Sequence, residues 1–186
     1  MAVLAGTDFF TVEVLSWRGL VTYYVLFFLQ LETRRVTLGG ITRHPTEDWI
    51  TQMARNAVDE TSGDLRRCRY VLHGRDAKFC AAFDELLASE GIQSLKLPPR
   101  CPTLNAFAEP WARSVREECL SKLILFGERS LHRALTEFVA HYHSERNHQG
   151  KLNALLFPSP VSIMPRRSVL CRKRLGGLLR YCCRAA

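Results

Sequence analysis

Three β-rich runs open the chain almost without interruption, at residues 3–15, 20–31 and 35–41. Only Ser16-Trp17-Arg18-Gly19 and Glu32-Thr33-Arg34 separate them. Connections this short cannot carry a crossover, so neighbouring strands must run antiparallel and the chain begins as a three-stranded meander. The middle run is rich in Tyr, Phe and Val. It is too short to span a bilayer and reads as a buried strand.

The period then changes. Residues 45–60 read as a helix with Glu47 and Asp48 in its first turn and an apolar stripe of Trp49, Ile50, Met53, Ala54, Ala57 and Val58. A short strand at 69–72 and a helix at 82–90, stopped by Gly91, precede a strand at 92–97. Strand, helix, strand implies parallel pairing with right-handed crossovers. A loop marked by Pro98, Pro99 and Pro102 leads into a helix at about 105–124. Ser130 caps a further helix, in which Leu131, Ala134, Leu135, Phe138, Val139 and Tyr142 recur at helical spacing. The expected fold is α/β: a five-stranded mixed sheet, three antiparallel strands and then two parallel, with helices on both faces.

Charge is unevenly placed. The chain of 186 residues carries a net +8, yet its first 145 residues hold 17 basic against 18 acidic side chains. All of the excess lies beyond Glu145, the last acidic residue. A neutral body with a basic end suggests a polyanionic partner, nucleic acid or an anionic membrane surface. Periodicity is lost after Pro160, so residues 157–186 read as a basic tail, extended or partly disordered, behind a domain at 1–156. The glycines at 176 and 177 argue against a membrane helix in the tail. Seven scattered cysteines without a CxxC pair, behind an N-terminus that lacks a secretory signal, predict reduced thiols in a cytoplasmic protein.

Three short segments carry the chemistry: Gly6-Thr7-Asp8-Phe9-Phe10, His73-Gly74-Arg75-Asp76-Ala77-Lys78-Phe79 and Asn105-Ala106-Phe107-Ala108-Glu109. Asp8 interrupts a strand, a place that disfavours a lone aspartate. Glu109 sits in an apolar run with Phe107, Ala108 and Trp111, which predicts partial burial. A carboxylate in either place needs a partner or a metal. Pro110 is harmless only if the helix starts near Ala108, because inside a helix it costs about 3 kcal/mol.

With Arg116-Glu117-Glu118-Cys119-Leu120 and the block from His141 to Gly150, these segments resemble the catalytic core of the retroviral-integrase and insertion-sequence transposase superfamily over about residues 5–152. The resemblance implies a ribonuclease H-like fold and an Asp, Asp, Glu triad binding two divalent ions, Mg²⁺ or Mn²⁺. Its first Asp maps onto Asp8 and its Glu onto Glu109. Matching Arg75, Asp76, Lys78 and Phe79 to the family's motif puts Gly74 at the second Asp, 35 residues before Glu109. Asp76 is the candidate substitute; in an extended segment it would face the same side but about 6.5 Å away, and Mg–O bonds of about 2.0–2.1 Å do not absorb that. His73 would point to the opposite face.

The implied activity is divalent-metal-dependent DNA strand transfer, impaired at Gly74. The alternative is a non-catalytic nucleic-acid-binding or dimerising remnant. A ribonuclease H-type nuclease fits the Glu109 helix and the His-rich block less well. Expected DNA contacts are Arg113, Arg116 and Lys122 beside the groove, and Arg172, Lys173 and Arg174 in the tail. His141, His143 and His148 have no accompanying cysteine pair for zinc, and in the resembled family their block is structural. Implied partners are DNA, further copies of the chain and a separately encoded helix-turn-helix protein, because the chain starts just before Asp8. No membrane is expected, and the protein would join the nucleoid when bound to DNA.

Overall fold

Strand β1 (Leu4–Ser16) turns through Trp17 and Arg18 straight into β2 (Gly19–Gln30). Gly19 adopts φ +109°, which a side chain would resist. The Ser16 hydroxyl closes the turn by donating to the Gly19 carbonyl at 2.8 Å. The computed structural model describes residues 4–61, 63–98, 107–148, 153–158 and 169–184, in two compact units, 1–114 and 115–186.

In the first unit, β3 (Val36–Thr42), α1 (Glu47–Val58), β4 (Tyr70–His73), α2 (Ala81–Ser89) and β5 (Gln93–Lys96) complete a sheet of order β3-β2-β1-β4-β5. The β1–β2 and β2–β3 pairs are antiparallel, and the β1–β4 and β4–β5 pairs are parallel. This is the expected mixed sheet. Thr46 caps α1 by accepting from the Trp49 amide at 3.3 Å.

Alternation along β1 builds two cores. Ala5 and Phe9, with Leu26 and Phe28 opposite, face α1 and α2 in a cluster that includes Ile50, Ala54, Phe79, Phe83 and Leu87. Phe10 and Phe27 point the other way. Trp111 packs on them with ring centroids 5.8 and 4.4 Å away, so the start of α3 (Ala108–Glu118) covers the second face. Burying such side chains contributes roughly 1.5–3 kcal/mol each. Pro110 is the third residue of α3, where no intrahelical donor is lost.

The second unit holds the end of α3, a 3-10 turn at Leu120–Lys122, α4 (Gly127–Ser144), and a hairpin of β6 (Val169–Arg174) and β7 (Leu179–Arg184). The helix expected to run to residue 124 stops at Glu118. Cys119 leaves helical geometry (φ −126°, ψ −68°), and its buried thiol donates to the Ala134 carbonyl at 3.9 Å. Burial pushes that thiol up to about 11, which makes it inert.

Ser130 is not the cap that its position suggested. It lies inside α4 and donates to the Gly127 carbonyl at 2.8 Å, because Gly127 (φ +70°) starts the helix three residues earlier. The thiol expectation also changes: Cys171 and Cys182, which face each other across the hairpin, are disulfide-bonded.

Gly40 marks the tightest packing of α1 on β3. A methyl group there would lie 2.5 Å from Met53 Sδ and 2.7 Å from Trp49 Cζ2. Gly40→Val is expected to lower the unfolding free energy by about 1–3 kcal/mol, measured as a shifted midpoint in urea.

Candidate functional site

The β1–β4 ladder ends with Thr7 beside His73. Strand β4 ends at His73; the next pair, if the register continued, would be Asp8 and Gly74. Asp8 pairs with Phe27 across β1–β2 and shares the face of Phe10. Its Oδ1 accepts from the Phe9 amide at 2.8 Å. Trp111, on that same face, carries the first turn of α3 and with it Glu109. Glu109 is exposed, not partly buried as its apolar neighbours suggested. The buried positions of that turn are Ala108 and Trp111, and Glu109 lies between them on the opposite side of the helix.

Gly74 leaves room. A Cβ there would meet no heavy atom within 4 Å, and its backbone is outside the left-handed region. Gly74 borders a cavity of about 390 Å³ with Arg75, Asp76, Ala77, Phe79 and Lys96.

Asp76 is placed elsewhere. The chain turns after Asp76, with the Phe79 amide donating to its carbonyl at 3.0 Å. The carboxylate takes Lys78 Nζ at 2.7 and 2.9 Å and the Lys78 amide at 3.1 Å. That ammonium lies 5.4 Å from the Phe9 ring and 5.1 Å from the Tyr24 ring, on the face away from Asp8. Partial burial pushes the Asp76 carboxyl up, but the hydrogen bonds and charge of Lys78 outweigh it and hold the group below the usual range.

The residue pattern did not disclose the network behind position 74. His73 is buried among Phe79 and Phe83, and its Nδ1 donates to the Gly74 carbonyl at 2.8 Å. Its Nε2 lies 2.7 Å from the Ser94 hydroxyl, which donates to Asp84 at 2.6 Å. Lys96 pairs with the other Asp84 oxygen at 3.0 Å. The available signal was alternation, which places His73 opposite position 74 and sets Ser94 and Lys96 on one side of β5. Asp84 enters from α2, at no readable spacing.

Arg113, Arg116, Lys122 and Lys173 are exposed, and the Arg172 side chain is 61% exposed. Arg174 forks instead to Glu145 (2.8 and 2.9 Å) and Glu137 (2.7 Å). His141 Nδ1 lies 3.0 Å from Glu145, and His148 Nε2 donates to the Tyr142 carbonyl at 2.8 Å, so both rings are engaged within their own unit.

No protein-family model matches the chain, and no curated protein matches it. Solved structures do. A chain of the simian T-cell lymphotropic virus intasome, in complex with PP2A regulatory subunit B56 gamma, aligns over 95% of this chain at 12% identity and TM-score 0.61. The magnesium-bound, trimeric form of the HTLV-2 integrase catalytic core aligns over 83% at 9% identity and TM-score 0.60. The BIV integrase core aligns over 81% at 12% identity and TM-score 0.55. The fold is that of a retroviral integrase catalytic core. The alignment spans 93% and 89% of the HTLV-2 and BIV cores, but only 64% of the intasome chain.

An integrase-type core implies divalent metal, and the residues here fit it incompletely. Among the described residues no group of three or more His, Cys, Asp or Glu side chains is placed to hold an ion. The buried polar atom left without a partner among them is a donor, Trp111 Nε1, which suits an anion or water and not a cation. No catalytic step is therefore derived through a metal.

The Asp84 network gives a pH test. Burial raises its carboxyl pKa, but the bonds from Ser94 and Lys96 and the charges of Lys96 and His73 lower it further, so the folded group titrates below the usual carboxylate range. The stability it contributes is present above that range and lost as pH falls through the folded value. Asp84→Asn is expected to cost roughly 1–3 kcal/mol at pH 7, with the gap to wild type closing in acid when thermal unfolding is followed against pH.

Proposed function

We propose that this chain is a DNA integration or transposition core whose acidic set has lost its second member. One observation carries the reading: the parallel β1–β4 register runs to Thr7 and His73, and continued by one residue it would set position 74 beside Asp8, on the face to which Trp111 brings the start of the Glu109 helix. Asp8 and Glu109 are the remaining carboxylates for Mg²⁺ or Mn²⁺. Two monodentate carboxylates leave the other positions of an octahedral ion to water, so binding is weak. The substrate class is DNA, with Arg113, Arg116, Lys122, Arg172 and Lys173 available to phosphates. The core is read as residues 1–156, with a basic extension at 157–186. Self-association, a separately encoded helix-turn-helix partner and a cytoplasmic, nucleoid-bound location complete the reading. No helix among the described residues is long and apolar enough to cross a membrane.

The engagement of Asp76 by Lys78, on the face away from Asp8, favours a second reading, a nucleic-acid-binding fold that performs no chemistry. Titration calorimetry with Mg²⁺ or Mn²⁺ separates the two. If the core survives, wild type binds weakly and Asp8→Ala abolishes the heat. Gly74→Asp is expected to tighten binding about tenfold or more, the equivalent of about 1.4 kcal/mol, and to increase metal-dependent nicking of DNA. Indistinguishable titrations of wild type, Asp8→Ala and Gly74→Asp would leave only the binding fold.

A further inference from the structure

The β6–β7 hairpin has two unlike faces. Arg172, Arg174, Leu179 and Tyr181 share one face by register and alternation. Leu179 is 5% exposed, and Arg174 is forked onto the Glu145 carboxylate, whose side chain is 1% exposed. This inner face docks the hairpin on α4. The outer face carries the Cys171–Cys182 disulfide, with both cysteines exposed. Lys173 and Arg180 are the next pair on that face, two residues along, a separation of roughly 6.5–7 Å. Both are exposed, and neither makes an ion pair among the described residues. No acidic residue occurs anywhere in the hairpin.

We propose that Cys171–Cys182 is a site of thiol–disulfide exchange with small anionic thiols, and that this exchange opens and closes the hairpin's clasp. The attacking thiolate forms a new S–S bond to one cysteine sulfur. The original bond breaks, and its electron pair leaves on the other cysteine as a thiolate, which takes a proton from solvent. A second thiolate then displaces the first cysteine and leaves as the reagent's own disulfide, so two electrons pass from two reagent thiols to the hairpin. Lys173 and Arg180 serve the first step twice. They raise the local concentration of an anionic reagent, and they stabilise the thiolate that departs. Once open, two strands are marginal without further support, and the hairpin relies on Arg174 and Leu179. A reducing thiol pool holds such an exposed bond open and an oxidising one closes it.

The test uses the full oxidised chain. Alkylation in denaturant without reductant, with mass detection, should label five of its seven cysteines and spare Cys171 and Cys182. Opening is then timed with glutathione, which is anionic, and with uncharged 2-mercaptoethanol, in wild type and in Lys173→Gln/Arg180→Gln. Wild type should favour glutathione several-fold more than the double variant does, and salt should erase the difference. In parallel, trypsin should cut reduced wild type within residues 169–184 several-fold faster than oxidised wild type. Cys171→Ser should be cut at the reduced rate under both conditions. Labelling of all seven cysteines, an unchanged glutathione preference in the charge variant, or equal trypsin rates in the two redox states would each overturn the proposal.

Discussion

Strand β1 is hydrogen-bonded on both sides, antiparallel to β2 and parallel to β4, and the placement of Asp8 follows from that double pairing. Antiparallel pairing with β2 commits alternate side chains to opposite cores. Phe9 goes beneath α1 and α2, while Phe10 goes beneath Trp111. Asp8 is thereby held on the Phe10 face, since a one-residue slip would drive two phenylalanines into the wrong layers. Parallel pairing with β4 runs as far as Thr7 and His73, one residue before Asp8 and position 74. The approach of the two strand ends is a by-product of sheet register, so it does not depend on which residue occupies position 74.

How much was legible follows the same division. The meander could be read because Ser16-Trp17-Arg18-Gly19 leaves no room for a crossover. The parallel half was readable because residues 82–90 bury Phe83 and Leu87 between two short apolar runs. Position 74 stands out in the sequence because motif and spacing agree on it, and the geometry adds only that a Cβ there would meet open space. Details set by single side chains escaped. The Asp76 carboxylate turns toward Lys78 because a local turn replaces extended chain, and spacing arithmetic that assumed an extended strand placed it on the wrong side. Glu109 stands in an apolar run yet is exposed, because a helix assigns burial by angle and not by neighbourhood. Residues 105 and 106, which belong to its motif, lie outside the described positions.

The second unit shows a different economy. It holds 13 basic against 5 acidic residues, the whole of the net charge. One of those acids, Glu145, is nearly inaccessible. Burial raises its carboxyl pKa, and hydrogen bonds and charge from Arg174 and His141 bring it below the usual range. A buried carboxylate of this kind is weak evidence of net stability, because its desolvation offsets most of the attraction. It does confer specificity, since a hairpin displaced from α4 would leave Glu145 without Arg174. That explains why a segment without readable periodicity settles in one arrangement. Its position comes from the pairing of Arg174 with Glu145 and Glu137 and from one buried leucine rather than from an amphipathic pattern.

The same electrostatic reasoning bears on what glycine at 74 does to the fold. A carboxylate there would face Asp8 from the adjoining strand, about 4.8 Å away across the sheet. At an effective dielectric near 20, two such charges repel by roughly 3 kcal/mol, which only a bound cation or a raised pKa offsets. Glycine removes that repulsion and gives up about 0.5–1 kcal/mol of backbone restriction. Without metal, the chain with Gly74 is therefore the more stable arrangement. With metal, it forgoes the ion's stabilising contribution along with the ion. The open space beside Gly74 admits a Cβ without contact with either core.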